Sequence, residues 1–125
     1  MQSKLLIIED DRFIHELFNE KFVGSGIEVF VTDRGSRGYE LAKKEHPDVI
    51  LIDLILPDME GAELIKKIRA DKDLEDAKII VITNVSNQKK VDEVMKLGVQ
   101  EYYIKSNESF FEIVEMIKTY FSGAK

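Results

Sequence analysis

The sequence predicts an α/β fold, a doubly wound five-stranded parallel sheet with helices on both faces. Two observations lead there. Short apolar runs alternate with amphipathic helical stretches five times along the 125 residues. Three of the runs, LLII at 5–8, VILI at 49–52 and IIVI at 79–82, show no polar alternation, the pattern of strands buried on both faces under helical layers. Right-handed crossovers leave few topologies for such units, and the doubly wound order is the favoured one.

Each element has its own signal. The first run ends in Glu9, Asp10 and Asp11, after which Ile14, Leu17, Phe18 and Phe22 recur at helical spacing until Gly24-Ser25-Gly26 stops the helix. A second strand, 27–32, alternates more weakly. Residues 34–45 read as a helix with Gly38, Leu41 and Ala42 on one side; it stops before Pro47, because the residue preceding a proline disfavours helical geometry. Asp53 terminates the third strand, and Pro57 and Asp58 mark a turn in the loop 54–60. Leu64, Ile65 and Ile68 set the third helix. The fourth strand ends in Thr83, and Val91, Val94 and Met95 define a helix that Gly98 closes. A fifth strand, 102–104, ends in Lys105, and Phe110, Ile113, Val114, Ile117 and Phe121 form the last apolar stripe. Residues 122–125 read as a short frayed tail. No repeat, linker or low-complexity tract breaks this order, so residues 1–125 are expected to form one domain.

Composition narrows the function classes. Hydrophobic residues are 44% of the chain and charged residues 34%, enough apolar material for a core and too much for intrinsic disorder. There is no cysteine, which removes disulfides, thiolate metal sites and cysteine nucleophiles. His15 and His46 stand far apart, so a structural zinc site is disfavoured, and both are expected at the surface without a catalytic role. A net charge of -6 argues against nucleic acid or an anionic membrane as direct partner. No apolar run approaches the roughly 20 residues that span a bilayer. The start, MQSK, leads straight into a strand rather than into a signal peptide, and the expected setting is cytoplasmic.

In open parallel sheets, ligands bind beyond the carboxyl ends of the strands. Here those ends carry Glu9, Asp10 and Asp11 on strand 1, Asp53 on strand 3, Thr83 on strand 4 and Lys105 on strand 5. Singly, each has an ordinary reading: Glu9 and Asp10 as carboxylates favoured at a helix N-terminus, Asp53 as a turn residue, Thr83 as a β-branched strand residue, Lys105 as a solvated cation. Together they would be four independent coincidences at four strand ends. Clustered carboxylates raise one another's pKa and repel unless a cation neutralises them. Hard oxygen donors without His or Cys suit Mg²⁺. A lysine and a hydroxyl are what an incoming phosphoryl oxygen would use.

With IIEDD at 7–11, LIDLILPDMEG at 51–61, VITN at 81–84 and YYIKS at 102–106, the chain from Lys4 to about Phe121 closely resembles the receiver domain of two-component response regulators, of the chemotaxis response regulator type. The resemblance implies the (βα)5, flavodoxin-like three-layer sandwich. It also implies a signalling domain rather than an enzyme with a separate substrate, one that accepts a phosphoryl group from a histidine kinase, catalyses its own transfer and loses the group slowly. On the same resemblance Asp53 is the phosphoacceptor, Asp10 and Asp53 are direct Mg²⁺ ligands, Glu9 acts through a metal-bound water, and the backbone carbonyl of Ile55 is a further ligand. Thr83 is the hydroxyl that moves to the phosphoryl group, Lys105 the cation that pairs with it, and Tyr102 the aromatic switch residue. The implied partners are a sensor histidine kinase or phosphotransfer domain, and a downstream protein reading the surface of helix 4, strand 5 and helix 5. No direct nucleic-acid or membrane contact is implied; the implied state is a monomer, with dimer formation on phosphorylation left open. Nothing after the fifth helix reads as a DNA-binding or catalytic module, whether the receiver stands alone or belongs to a longer protein.

Four positions depart from the family pattern. Ser106 stands where a cis proline usually follows the lysine; a cis non-proline bond costs ~3–4 kcal/mol, so a trans bond is expected and the reach of Lys105 comes into question. Asn84 replaces a small residue and would narrow the phosphate entrance. Ile55 and Val85, two residues beyond Asp53 and Thr83, cannot orient a hydrolytic water, which predicts a long-lived phosphoryl group. The alternative function is a degenerate receiver, a phosphorylation-independent interaction module, although such domains normally lack site residues that this chain keeps. A flavin mononucleotide protein is disfavoured because Glu9, Asp10 and Asp11 would repel the phosphate. A haloacid dehalogenase-type phosphatase would need Asp where Ile55 stands.

Overall fold

The computed structural model describes residues 3–107 and 109–122. Its elements alternate as expected: β1 (Ser3–Ile8), α1 (Arg12–Phe22), β2 (Ile27–Thr32), α2 (Gly35–Glu45), β3 (Val49–Ile52), α3 (Gly61–Ala70), β4 (Lys78–Thr83), α4 (Gln88–Met95), β5 (Glu101–Ile104) and α5 (Phe110–Ser122). The strands form one parallel sheet in the order β2-β1-β3-β4-β5. Winding reverses between β1 and β3, so the crevice beyond their carboxyl ends is where this topology places a ligand.

Because side chains alternate across a strand, β1, β3 and β4 feed two cores at once. Leu6, Ile8, Ile50, Ile52 and Val81 pack with Ala42 of α2, Leu64, Ile65 and Ile68 of α3, and Val94 of α4. Leu5, Ile7, Leu51, Ile80 and Ile82 pack with Ile14, Phe18 and Phe22 of α1 and Ile113, Val114 and Ile117 of α5. The stretches 5–8, 49–52 and 79–82 of the central strands are apolar throughout for this reason. The edge strands β2 and β5 are only half-buried, which explains the weaker alternation of 27–32.

The differences from expectation are small. α2 begins at Gly35 rather than Arg34, β4 and β5 each start one residue earlier, and Leu17 is half-buried. Among the described residues there is no cis peptide bond, so Lys105–Ser106 is trans. Of the expected tail at 122–125, Ser122 is instead the last residue of α5; residues 123–125 and the start at 1–2 lie outside the described residues, of which no helix is long and apolar enough to cross a membrane.

Candidate functional site

The sheet ladder itself assembles the site. β1 and β3 run in register with Ile8 beside Ile52, and one bond on each side of β1 carries the sheet past its end: Asp53 N–H donates to the Ile8 carbonyl at 3.0 Å, and Glu9 N–H donates to the carbonyl of Thr32 on β2 at 3.0 Å. Glu9 and Asp53 thereby project side by side. On the other flank Lys105 N–H donates to the Thr83 carbonyl at 2.8 Å, which sets Lys105 just beyond β5. Glu9, Asp53 and Thr83 are buried although polar, whereas Asp10 is exposed.

The Lys105 ammonium sits between two carboxylates, 2.8 Å from Glu9 Oε1 and 2.9 Å from Asp53 Oδ2. The remaining oxygens are used too: Glu9 Oε2 accepts from Asp11 N–H at 2.9 Å and Asp53 Oδ1 from Ile55 N–H at 3.2 Å. Lys105 therefore reaches Asp53 in spite of Ser106. Burial pushes the Glu9 carboxyl up to about 7; Lys105 and the Asp11 amide pull it down, and the Asp53 charge adds to the rise. Burial is thus a larger cause than the mutual repulsion expected from the sequence. Burial also works against the Lys105 charge, but Glu9 and Asp53 more than offset it and hold the ammonium above the ordinary lysine value.

Glu9, Asp10 and Asp53 each offer one oxygen, all within 4.8 Å of one another. Glu9 Oε1, fully buried, has an ion pair but no hydrogen bond. Three carboxyl groups against one ammonium leave an excess of negative charge in a half-enclosed place, and hard oxygen donors fit a divalent cation. The His15 ring Nε2 faces the Glu9 carbonyl; a carbonyl only accepts, so that nitrogen carries the proton. Gly61 has a steric reason: a Cβ there would lie 2.3 Å from the Asp53 carbonyl oxygen.

The loop after β4 is held by two hydroxyls. Tyr102 OH donates to the Val85 carbonyl at 2.6 Å, and Thr83 Oγ1 accepts from Val85 N–H at a long 3.4 Å. Burial first, then the Asp53 charge, raises the Tyr102 phenol above its ordinary value. Ile55 is 63% exposed and, with Leu54, Leu56, Met59 and Val85, lines a cleft of about 580 Å³ that Asp58, Glu60 and Lys90 also border. Asn84 is exposed.

The response regulator receiver domain family matches residues 5–118. The chain belongs to this family. The polar-differentiation response regulator DivK of Brucella ovis is 32% identical over 124 residues, spanning 99% of this chain and 100% of DivK. Among solved structures, the phosphorylated cyanobacterial phytochrome response regulator RcpA is similar at a TM-score of 0.88 and 26% identity, covering 100% of this chain and 98% of that one. The Mn²⁺-bound response regulator Rcp1 is similar at 0.83 and 25% identity, covering 95% and 94%. The protein is a receiver domain of two-component signalling, and its acidic cluster fits the family's metal-binding phosphoacceptor site.

Some residues around this receiver site escaped the sequence reading. Asp11 caps α1 by accepting from Phe13 N–H at 2.9 Å, taking the helix N-terminal role considered for Glu9 and Asp10. His15, expected to be idle, closes the Glu9 carbonyl; its position one turn into α1 was the available signal. Asp58, read only as a turn residue, reaches across to α2. His46 is an exposed helix cap at φ 50, away from the site.

Proposed function

We propose that this receiver accepts a phosphoryl group on Asp53 from a histidine kinase or phosphotransfer domain, in a Mg²⁺-dependent reaction in the cytoplasm, and signals through the surface of α4, β5 and α5. The observation that carries the reading is the Lys105 ammonium held within 2.9 Å of both Glu9 and Asp53 at the mouth of the sheet. Asp10, Asp53 and the Ile55 carbonyl would hold Mg²⁺ directly, and Glu9 through a water. When bound, the cation supplies neutralisation of phosphoryl charge. The chain's own groups do the remainder. An Asp53 carboxylate oxygen attacks phosphorus, the P–N bond of the donor imidazole breaks, and its electron pair leaves with the ring, giving an acyl phosphate. Lys105 exchanges Asp53 Oδ2 for a phosphoryl oxygen. Thr83 gives up its long bond to Val85 and turns its hydroxyl to another phosphoryl oxygen. Tyr102, tied to the Val85 carbonyl, follows that loop and alters the surface around half-buried Val91 and exposed Met95.

The test uses acetyl phosphate or phosphoramidate as donor and mass analysis of the product. One phosphoryl group is expected, on Asp53, only with Mg²⁺. Equal labelling of Asp53→Asn, or full labelling in excess chelator, would overturn the assignment.

A further inference from the structure

α2 begins without a cap of its own. Its N-cap residue, Arg34, is extended (φ -129, ψ 141) and makes no side-chain cap bond, as expected of a guanidinium that has no acceptor. The cap comes instead from the β3–α3 loop: Asp58 Oδ1 accepts from Gly35 N–H at 2.7 Å and Oδ2 from Ser36 N–H at 3.0 Å. A serine or aspartate at 34 would have capped the helix locally. The remote carboxylate does something a local cap cannot, because it makes the loop and the helix depend on each other.

Both partners lead to the acidic cluster. α2 is seated on β1 so closely that a Cβ on Gly38 would lie 2.4 Å from Ile8 Cδ1, and Ile8 precedes Glu9. At its other end, Asp58 belongs to the loop that leaves Asp53. That loop is pinched by the Ile55–Glu60 bridge and closed by Gly61 N–H to the Leu54 carbonyl at 2.8 Å. The bond from Asp53 N–H to the Ile8 carbonyl completes a ring of contacts around the site. Two backbone donors hold the Asp58 carboxyl at about 2, so it stays charged throughout the neutral range.

We propose that Asp58 is a positioning residue for the metal and phosphoacceptor site: by capping α2 from across the fold it fixes the loop that presents Ile55 beside Asp53. The proposal rests on the metal-dependent reading above. A freed loop would have to be ordered each time the cation binds, which lowers affinity without touching a ligand. Coupling of this kind is reciprocal, so the cation must also steady the α2 cap.

Mn²⁺ is the probe, with free ion counted by electron paramagnetic resonance, and amide exchange in Mg²⁺ is the second readout. Asp58→Ala should raise the Mn²⁺ dissociation constant roughly five- to tenfold. The double variant Arg34→Ser, Asp58→Ala restores a local cap at unchanged net charge; it should regain thermal stability but keep the weakened Mn²⁺ affinity. In the wild type, Mg²⁺ should slow exchange at Gly35 and Ser36. An unchanged constant in Asp58→Ala, or its return to the wild-type value in the double variant, would overturn the positioning role and leave the metal site standing. A wild type that binds no Mn²⁺ would overturn the metal reading itself and the proposal with it.

Discussion

The two loops flanking Asp53 are held in opposite ways. The β3–α3 loop is fastened by backbone bonds at its base and by a charged carboxylate clamp on α2. The β4–α4 loop hangs on neutral hydroxyls, Tyr102 at 2.6 Å and Thr83 at 3.4 Å from Val85, with Asn87 capping α4 beyond it. Charge-assisted bonds are roughly twice as strong as neutral ones, while a neutral bond contributes only ~0.5–1.5 kcal/mol net. On the function proposed above, the first loop would stay in place and present ligands, and the second would exchange partners when a phosphoryl group arrives. The residues that hold the second loop, Thr83 and Tyr102, are also those proposed to change.

The largest expected effect probes what both loops serve. Lys105→Met removes the ammonium between Glu9 and Asp53 and should slow phosphorylation of Asp53 by small donors by about 10²–10³-fold. Protection of the Gly35 and Ser36 amides should be unchanged; measured rates within a few-fold of wild type would remove Lys105 from the mechanism. Next is the lifetime of the acyl phosphate. Ile55 and Val85, one from each loop, offer no side chain to orient an attacking water, so Ile55→Asn with Val85→Glu should speed loss ~10–100-fold, or ~1.4–2.8 kcal/mol of barrier. If the fixed loop holds its side chain the better, Ile55→Asn alone should give the larger share. Decay at the same rate in wild type and double variant would end this idea.

Smaller effects sharpen the contrast between the loops. Tyr102→Phe should accelerate amide exchange at residues 85–87 roughly two- to tenfold and leave Gly35 and Ser36 alone; equal acceleration in both places would break the comparison. The last is a pH effect. The unfolded chain protonates Asp58 near 3.8 and the folded chain only near 2, so the clamp's stabilisation is complete above pH 3.8 and is lost as pH falls towards 2. The Gly35 amide shift should follow a midpoint near 2 while Val85 stays still. A midpoint near 3.8 would mean that Asp58 is unclamped in solution.

What was legible in the sequence was local. Runs of buried β-branched residues announce parallel strands, stripes at three- and four-residue spacing announce helices, and the polar residues that end those strands mark the site. Asp58 was not legible, because its role depends on a helix start 23 residues earlier in the chain; the one sign was a helix with no capping residue at 34. The Glu9 shift was anticipated for the wrong main cause, since the depth of burial follows from packing by both layers. Ser106 raised doubt about Lys105, yet the ladder bond from Lys105 N–H to the Thr83 carbonyl places that residue whatever follows it.

A map of backbone amide shifts on adding a beryllofluoride phosphoryl mimic, with Mg²⁺ present before and after, tests the division most directly. Large changes are expected at residues 83–87, through α4 and at Tyr102, with residues 56–61 and the Gly35 and Ser36 amides nearly still. Equal or larger changes at 56–61, or changes confined to the immediate neighbours of Asp53, would contradict a fixed ligand loop beside a mobile switch loop.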